Sequence, residues 1–199
     1  AHGLSHYHRR ANVVHGDVSP ANLIVTSGTK NLVLVDFGSA WPVEVTATKE
    51  AGGGITFPYA APERISGHAS EDFRSDVFSV AVVAYELLTL EIPFDGVGGQ
   101  AGTPEMAKHF SSSPLAPSTL LPAKHARIPA RALKLLDDCL VTGLAPHPDG
   151  RFATRREWLA AWDRLHLALH KGERLSGFDK RVLACLEFLG RPFARRIQK

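Results

Sequence analysis

Two short stretches hold the side chains best suited to chemistry: His15-Gly16-Asp17-Val18-Ser19-Pro20-Ala21-Asn22 and Asp36-Phe37-Gly38. Asp17 and Asn22 lie close together on a segment that Gly16 and Pro20 keep from being helical. The apolar, β-branched runs 22–26 and 31–35 flank Ser27-Gly28-Thr29-Lys30, which predicts a β-hairpin. Its second arm returns Asp36 to where the first arm left Asn22, so two carboxylates and an amide meet. Hard oxygen donors of this kind suit Mg²⁺, which takes one or two protein ligands and completes its shell with phosphate oxygens. Asp17 can then orient or deprotonate an attacking hydroxyl. Either fragment alone reads as acidic turn residues; both, joined by this hairpin, read as a site.

Taken in order, these residues resemble the eukaryotic-like (Hanks-type) Ser/Thr protein kinases in their bacterial-type form. Residues 15–22 fit the catalytic loop, and 36–38 the metal-binding triplet that opens an activation segment over 36–63. Thr56-Phe57-Pro58-Tyr59-Ala60-Ala61-Pro62-Glu63 resembles that segment's substrate-docking loop and Ala-Pro-Glu end. The resemblance implies ATP and Mg²⁺ as cofactors: Asp36 chelates the ion that bridges the ATP phosphates, and Asn22 holds a second ion. It implies further that Asp17 accepts the proton of a hydroxyl on a protein substrate. Thr56 would position that substrate and favour Ser/Thr over Tyr. Structural support would come from His15, from Asp76 bracing the catalytic loop, and from a buried ion pair between Glu63 and Arg151, whose planar fork can grip a carboxylate at two points.

Three departures from the family pattern carry expectations. Gly16 stands where many kinases have an Arg that grips an activation-loop phosphate, so phosphorylation of Thr46 or Thr48 should matter little. Ser19, counted among the catalytic residues, stands where Ser/Thr kinases usually carry Lys, so the chemistry should be altered rather than lost. The 199 residues contain no glycine loop, strand Lys or Glu partner to hold the nucleotide. The expected fold is therefore α+β, mainly α: the large C-terminal lobe of a kinase with its short catalytic hairpin, and without the N-terminal lobe. This chain alone should bind ATP weakly and transfer phosphate negligibly.

The remaining elements must position that site. Residues 1–10 read as the last turns of a helix, with Leu4, Tyr7 and His8 on one side. His2 and His6 have metal-ligand spacing but no third ligand, so they read as surface or packing histidines. Residues 75–88 are apolar nearly all round, which predicts a buried central helix capped by Ser75 or Asp76. Gly96-Val97-Gly98-Gly99 follows no strand and reads as a flexible linker rather than a nucleotide loop, and 111–129 as an irregular connection. Residues 129–141 and 154–170 read as amphipathic helices, the second with Thr154 and Glu157 as a capping box and Trp158, Leu159, Trp162 and Leu165 as its buried stripe. A kinase lobe over 1–170 and a helical extension with a basic end over 171–199 are the expected domains.

At 44% apolar and 22% charged, the composition is that of an ordinary globular domain, and a net charge of +3 carries no nucleic-acid signal. Cys139 and Cys185 sit in apolar patterns and read as reduced, buried thiols. No apolar run reaches membrane-spanning length and no signal peptide opens the chain, so the expected location is cytoplasmic. Two other readings compete. Small-molecule kinases of the aminoglycoside or choline type share His-Gly-Asp-x-x-x-x-Asn but lack the Ala-Pro-Glu segment and its Arg. A pseudokinase acting as a binding module would not be expected to keep Asp17, Asn22 and Asp36.

Overall fold

A computed structural model describes residues 1–27, 31–42, 54–67, 72–106, 114–121 and 128–170. The helical extension expected over 171–199, Cys185, Thr46, Thr48 and the glycines at 52 and 53 lie outside the described residues. Among the described residues the chain is mainly helical, as expected of the kinase-like lobe. In order come α1 (His2–Arg10), β1 (Val13–Val14), β2 (Leu23–Val25), β3 (Leu32–Leu34), β4 (Trp41–Pro42), α2 (Pro62–Ile65), α3 (Phe73–Thr89), α4 (Pro117–Leu120), α5 (Ala130–Gly143) and α6 (Arg155–His170).

Helix α3 runs through the middle because its sequence leaves it almost no polar face. Residues 75–85 are all buried; α5 packs beside α3 and α6 packs on α5, with Leu136, Leu140, Leu144, Trp158, Trp162 and Leu165 in the shared core. Truncating a core aromatic such as Trp158 to Ala costs about 3–5 kcal/mol, a large share of a domain's net stability. The cap of α3 is Asp72, whose side chain accepts from Arg74 N, rather than Ser75 or Asp76. Both expected caps lie within the first turn of the helix, where they are buried and bonded elsewhere. At α6 the capping box forms: Thr154 Oγ1 accepts from Glu157 N, and Glu157 reaches back to Ala153 N. Leu159 is only half-buried there, the other three residues of the stripe fully so.

Further expectations need correcting. Gly98–Gly102 is not a flexible linker but a 3₁₀ turn pressed onto the chain ahead of α2. A Cβ on Gly98 would lie 1.9 Å from Pro58 O, and one on Gly99 would lie 1.7 Å from Ala60 O. Only glycine lets two backbones approach this closely, and Gly99 N donates to Pro58 O across the contact. Within 111–129, residues 117–120 form α4, held by Ser118, whose N and Oγ both donate to Asp137 on α5. In α1 the buried residues are Leu4, Ser5 and His8, while Tyr7 is largely exposed. His2 Nε2 pairs with Asp163 on α6, a packing role. Among the described residues no helix is long and apolar enough to cross a membrane.

Candidate active site

The expected hairpin forms. Leu23 faces Leu34 and Val25 faces Leu32, with Val35 N donating to Asn22 O at 2.9 Å just beyond the strands. That last bond places Asn22 beside the residue preceding Asp36. Asp36 adopts a left-handed conformation (φ 61°, ψ 78°), and its carboxylate accepts from Gly38 N at 3.1 Å. Asp and Asn tolerate this region because a short polar side chain can bond locally. Phe37, next in the chain, sets its ring against those of His15 (4.7 Å between centroids) and Tyr7 (4.9 Å).

The catalytic-loop side is held from several directions. Both hydrogens of the Asn22 amide go to Asp17, one to its backbone oxygen and one to Oδ2, each at 2.8 Å. The Asn22 amide oxygen takes no part in these two bonds. Asp17 Oδ1 accepts from Thr56 N at 3.3 Å, which ties the start of the 56–63 run to the carboxylate. His15 spans the two halves of the site: Asp17 N donates to its Nδ1, and its Nε2 donates to Val35 O at 3.2 Å. Asp17, Asn22 and Thr56 thus share one network, Asp36 reaches it through the hairpin, and His15 links the two sides.

Ser19 does not join that network. It is 1% exposed, and its hydroxyl has no hydrogen-bond partner among the described residues. Its backbone carbonyl instead accepts from Asn22 N and so shapes the turn that carries Asn22.

Beneath the loop, Asp76 of α3 accepts from His15 N (2.8 Å), Gly16 N (2.9 Å) and His8 Nε2 (2.7 Å). Burial alone would raise the pKa of this carboxyl. The bond and charge of His8 and the two backbone N–H groups outweigh burial and hold it below the usual carboxylate value. His8 went unremarked as a support in the sequence, where it shows only as one residue on the inner side of a short helix.

The expected ion pair is also present. Arg151 Nη1 and Nη2 donate to Glu63 Oε1 and Oε2 at 2.7 and 2.8 Å, with Ser75 Oγ donating to Oε1 as well. The remaining guanidinium hydrogens reach the carbonyls of Arg74, Ala145 and Pro146. Burial pushes the Glu63 carboxyl up, and Arg151 more than reverses it, so the group lies below its usual value. Three residues on from Thr56, Tyr59 donates to Glu86 at 2.8 Å; burial, then that bond and charge, raise its hydroxyl to about 12. Sequence reading also missed Trp41 and Arg64, which stack on one another at 4.2 Å beside Gly16.

Comparison with known proteins agrees with this geometry. The family model described as protein kinase domain matches residues 1–155. The chain is similar to the serine/threonine-protein kinase PknB of Mycobacterium tuberculosis, with 35% identity over 159 residues, covering 77% of this chain and 23% of that protein. PknB of Mycolicibacterium smegmatis is 34% identical over 166 residues, covering 82% of this chain and 24% of that protein. The chain therefore spans about a quarter of the length of these curated relatives. Among solved structures, the Cydia pomonella granulovirus kinase PK-1 superposes with a TM-score of 0.57 at 29% identity, over 79% of this chain and 52% of that one. With its hairpin, its braced loop and its buried ion pair all inside the matched region, the chain belongs to the protein kinase family, in its Hanks-type branch.

Proposed function

We propose that the protein transfers the terminal phosphoryl group of ATP, with Mg²⁺, to Ser or Thr hydroxyls of a protein substrate, and that residues 1–170 are the catalytic lobe. The observation that carries this reading is the shared network of Asp17, Asn22 and Thr56 beside Asp36. The donor set fits the ion. Among the described residues no three or more His, Cys, Asp or Glu converge as a metal cage. One exposed carboxylate, Asp36, and one amide oxygen, Asn22, are what Mg²⁺ needs when it arrives already carrying phosphate oxygens.

Within that reading the side chains have separate tasks. Asp36 and Asn22 hold Mg²⁺, which supplies neutralising charge to the phosphates when bound. Asn22 Nδ2 fixes Asp17 Oδ2 at 2.8 Å, while Oδ1 makes only the longer 3.3 Å contact to Thr56 N and keeps capacity to accept a proton from the substrate hydroxyl. Thr56 and the loop through Tyr59 lay the substrate next to that oxygen. Glu63 and Arg151 anchor the end of this loop, and Asp76 holds the backbone on which Asp17 rides. Ser19 acts through the backbone turn that carries Asn22. Groups that cradle the nucleotide would come from an N-terminal lobe outside these 199 residues, residues 171–199 would form a separate C-terminal extension, and ATP use would put the lobe on the cytoplasmic side.

The test uses the protein joined to its nucleotide-cradling half and a Ser/Thr/Tyr peptide mixture. Asp17→Asn should lower kcat by ~10²–10⁴ with Mg²⁺–nucleotide binding retained. Asp36→Ala should abolish Mg²⁺-dependent nucleotide binding with an unchanged circular dichroism spectrum. Transfer at the parent rate by either variant would overturn the proposal.

A further inference from the structure

Gly16 precedes Asp17 with φ +76°, a left-handed conformation, and has no side chain of its own. The space is taken. A Cβ on Gly16 would lie 2.0 Å from Trp41 Cζ3 and 2.6 Å from Cη2, so the indole lies directly on this glycine. Strand β4 brings the ring there: Trp41 pairs with Val14, two residues ahead of Gly16, and Pro42 pairs with Val13. On the ring sits the Arg64 guanidinium, 4.2 Å from its centroid, carried by α2 immediately after the Ala-Pro-Glu run. Trp41 is 6% exposed and Arg64 7%, so both groups are withdrawn from water. A guanidinium over a desolvated indole face is among the stronger contacts of this type.

Three pieces of chain therefore close on one point: the catalytic loop at Gly16, the start of the 36–63 segment at Trp41, and Arg64 just past its end. Two more bonds run the same way, Ser39 Oγ to Gly54 O at 3.2 Å and Thr56 N to Asp17 Oδ1 at 3.3 Å. We infer that Trp41 and Arg64 are positioning residues: their stack on Gly16 holds the loop that carries Asp17 and both ends of the 36–63 segment in one arrangement. A ring and a guanidinium are in place once the chain folds, so this arrangement needs no added phosphate. The assignment rests on reading Asp17 as the group that accepts the substrate proton.

The main test does not depend on catalysis. Hydrogen exchange is followed in the full chain for the amides of residues 15–17 and 54–57, with those of α5 and α6 as reference. In Trp41→Ala, exchange at 15–17 should rise about tenfold or more with α5 and α6 unchanged. Trp41→Phe should restore most of the protection, and Arg64→Ala should give an intermediate rise. Phosphatase treatment of the parent should leave 15–17 unaltered. In the protein joined to its nucleotide-cradling half, Trp41→Ala should lower kcat about tenfold with the nucleotide KM within about twofold, and Trp41→Phe should recover it. The proposal is overturned if exchange at 15–17 stays at the parent level, rises equally in α5 and α6, or rises on phosphatase treatment. Where Trp41→Ala does not fold, Arg64→Ala decides by the same criteria. A parent that transfers no phosphate would refute the kinase reading and leave the exchange result standing.

Discussion

Replacing Asp76 by Asn removes one charge from the base of the catalytic loop at constant volume, so its cost can be worked from hydrogen bonds alone. Oδ1 accepts from Gly16 N; Oδ2 accepts from both His15 N and His8 Nε2. An Asn has one acceptor oxygen and one NH₂. Placed with NH₂ at the Oδ2 position it opposes two donors; placed at the Oδ1 position it opposes only Gly16 N. The second placement wins and leaves Gly16 N–H and the new NH₂ facing each other without an acceptor, at about 1–3 kcal/mol for the pair. The two surviving bonds lose their charge assistance, about 0.5–1 kcal/mol each. The sum is about 2–5 kcal/mol, which in a domain of this size lowers Tm by roughly 5–15 °C. Thermal unfolding measures the total, and hydrogen exchange should show faster amides at 15–17. The acid limb supplies a second readout. The Asp76 carboxyl is depressed in the folded state, so its stabilisation is present above the usual value of 3.8 and lost as pH falls through the lower folded value. Asp76→Asn should therefore flatten stability against pH below about pH 4. A variant within about 0.5 kcal/mol of the parent, with unchanged exchange at 15–17, would refute the claim that α3 holds the catalytic loop through this side chain.

Three shorter predictions complete the set. Arg151→Ala should destabilise by about 3–5 kcal/mol in urea unfolding, because the buried Glu63 carboxylate loses both guanidinium bonds, and adding Glu63→Gln should restore part of the loss. Glu63 is also depressed, so the parent loses this contribution as pH falls below the usual 4.5, and Glu63→Gln should weaken that acid dependence. Gly16→Ala should cost at least about 2 kcal/mol and shift tryptophan fluorescence, since the methyl meets both a left-handed backbone and the Trp41 ring.

What could be read from the sequence, and what could not, follows from how far apart the partners lie. The hairpin of 22–26 and 31–35 is a local structure whose register is written in adjacent apolar runs, and the capping box of Thr154 and Glu157 is equally local; both form. The Glu63–Arg151 pair joins residues 88 apart, and only the resemblance to kinases links the two in the sequence. The cap of α3 is not legible for a different reason. Three polar residues able to cap stand within 72–76, and propensity alone cannot tell that Ser75 and Asp76 are claimed by Glu63 and by the catalytic loop. At Gly16 and Trp41 each residue has an unremarkable separate reading, a turn glycine and a buried aromatic. The information lies in their fit: the missing side chain of one is the room for the other, and neither half signals that it has a complement. Gly98 and Gly99 against Pro58 and Ala60 repeat the pattern, which is why a rigid contact read as a linker. Single-residue chemistry therefore marks the candidate groups, whereas the supports around them are reciprocal and emerge only when the packing is seen.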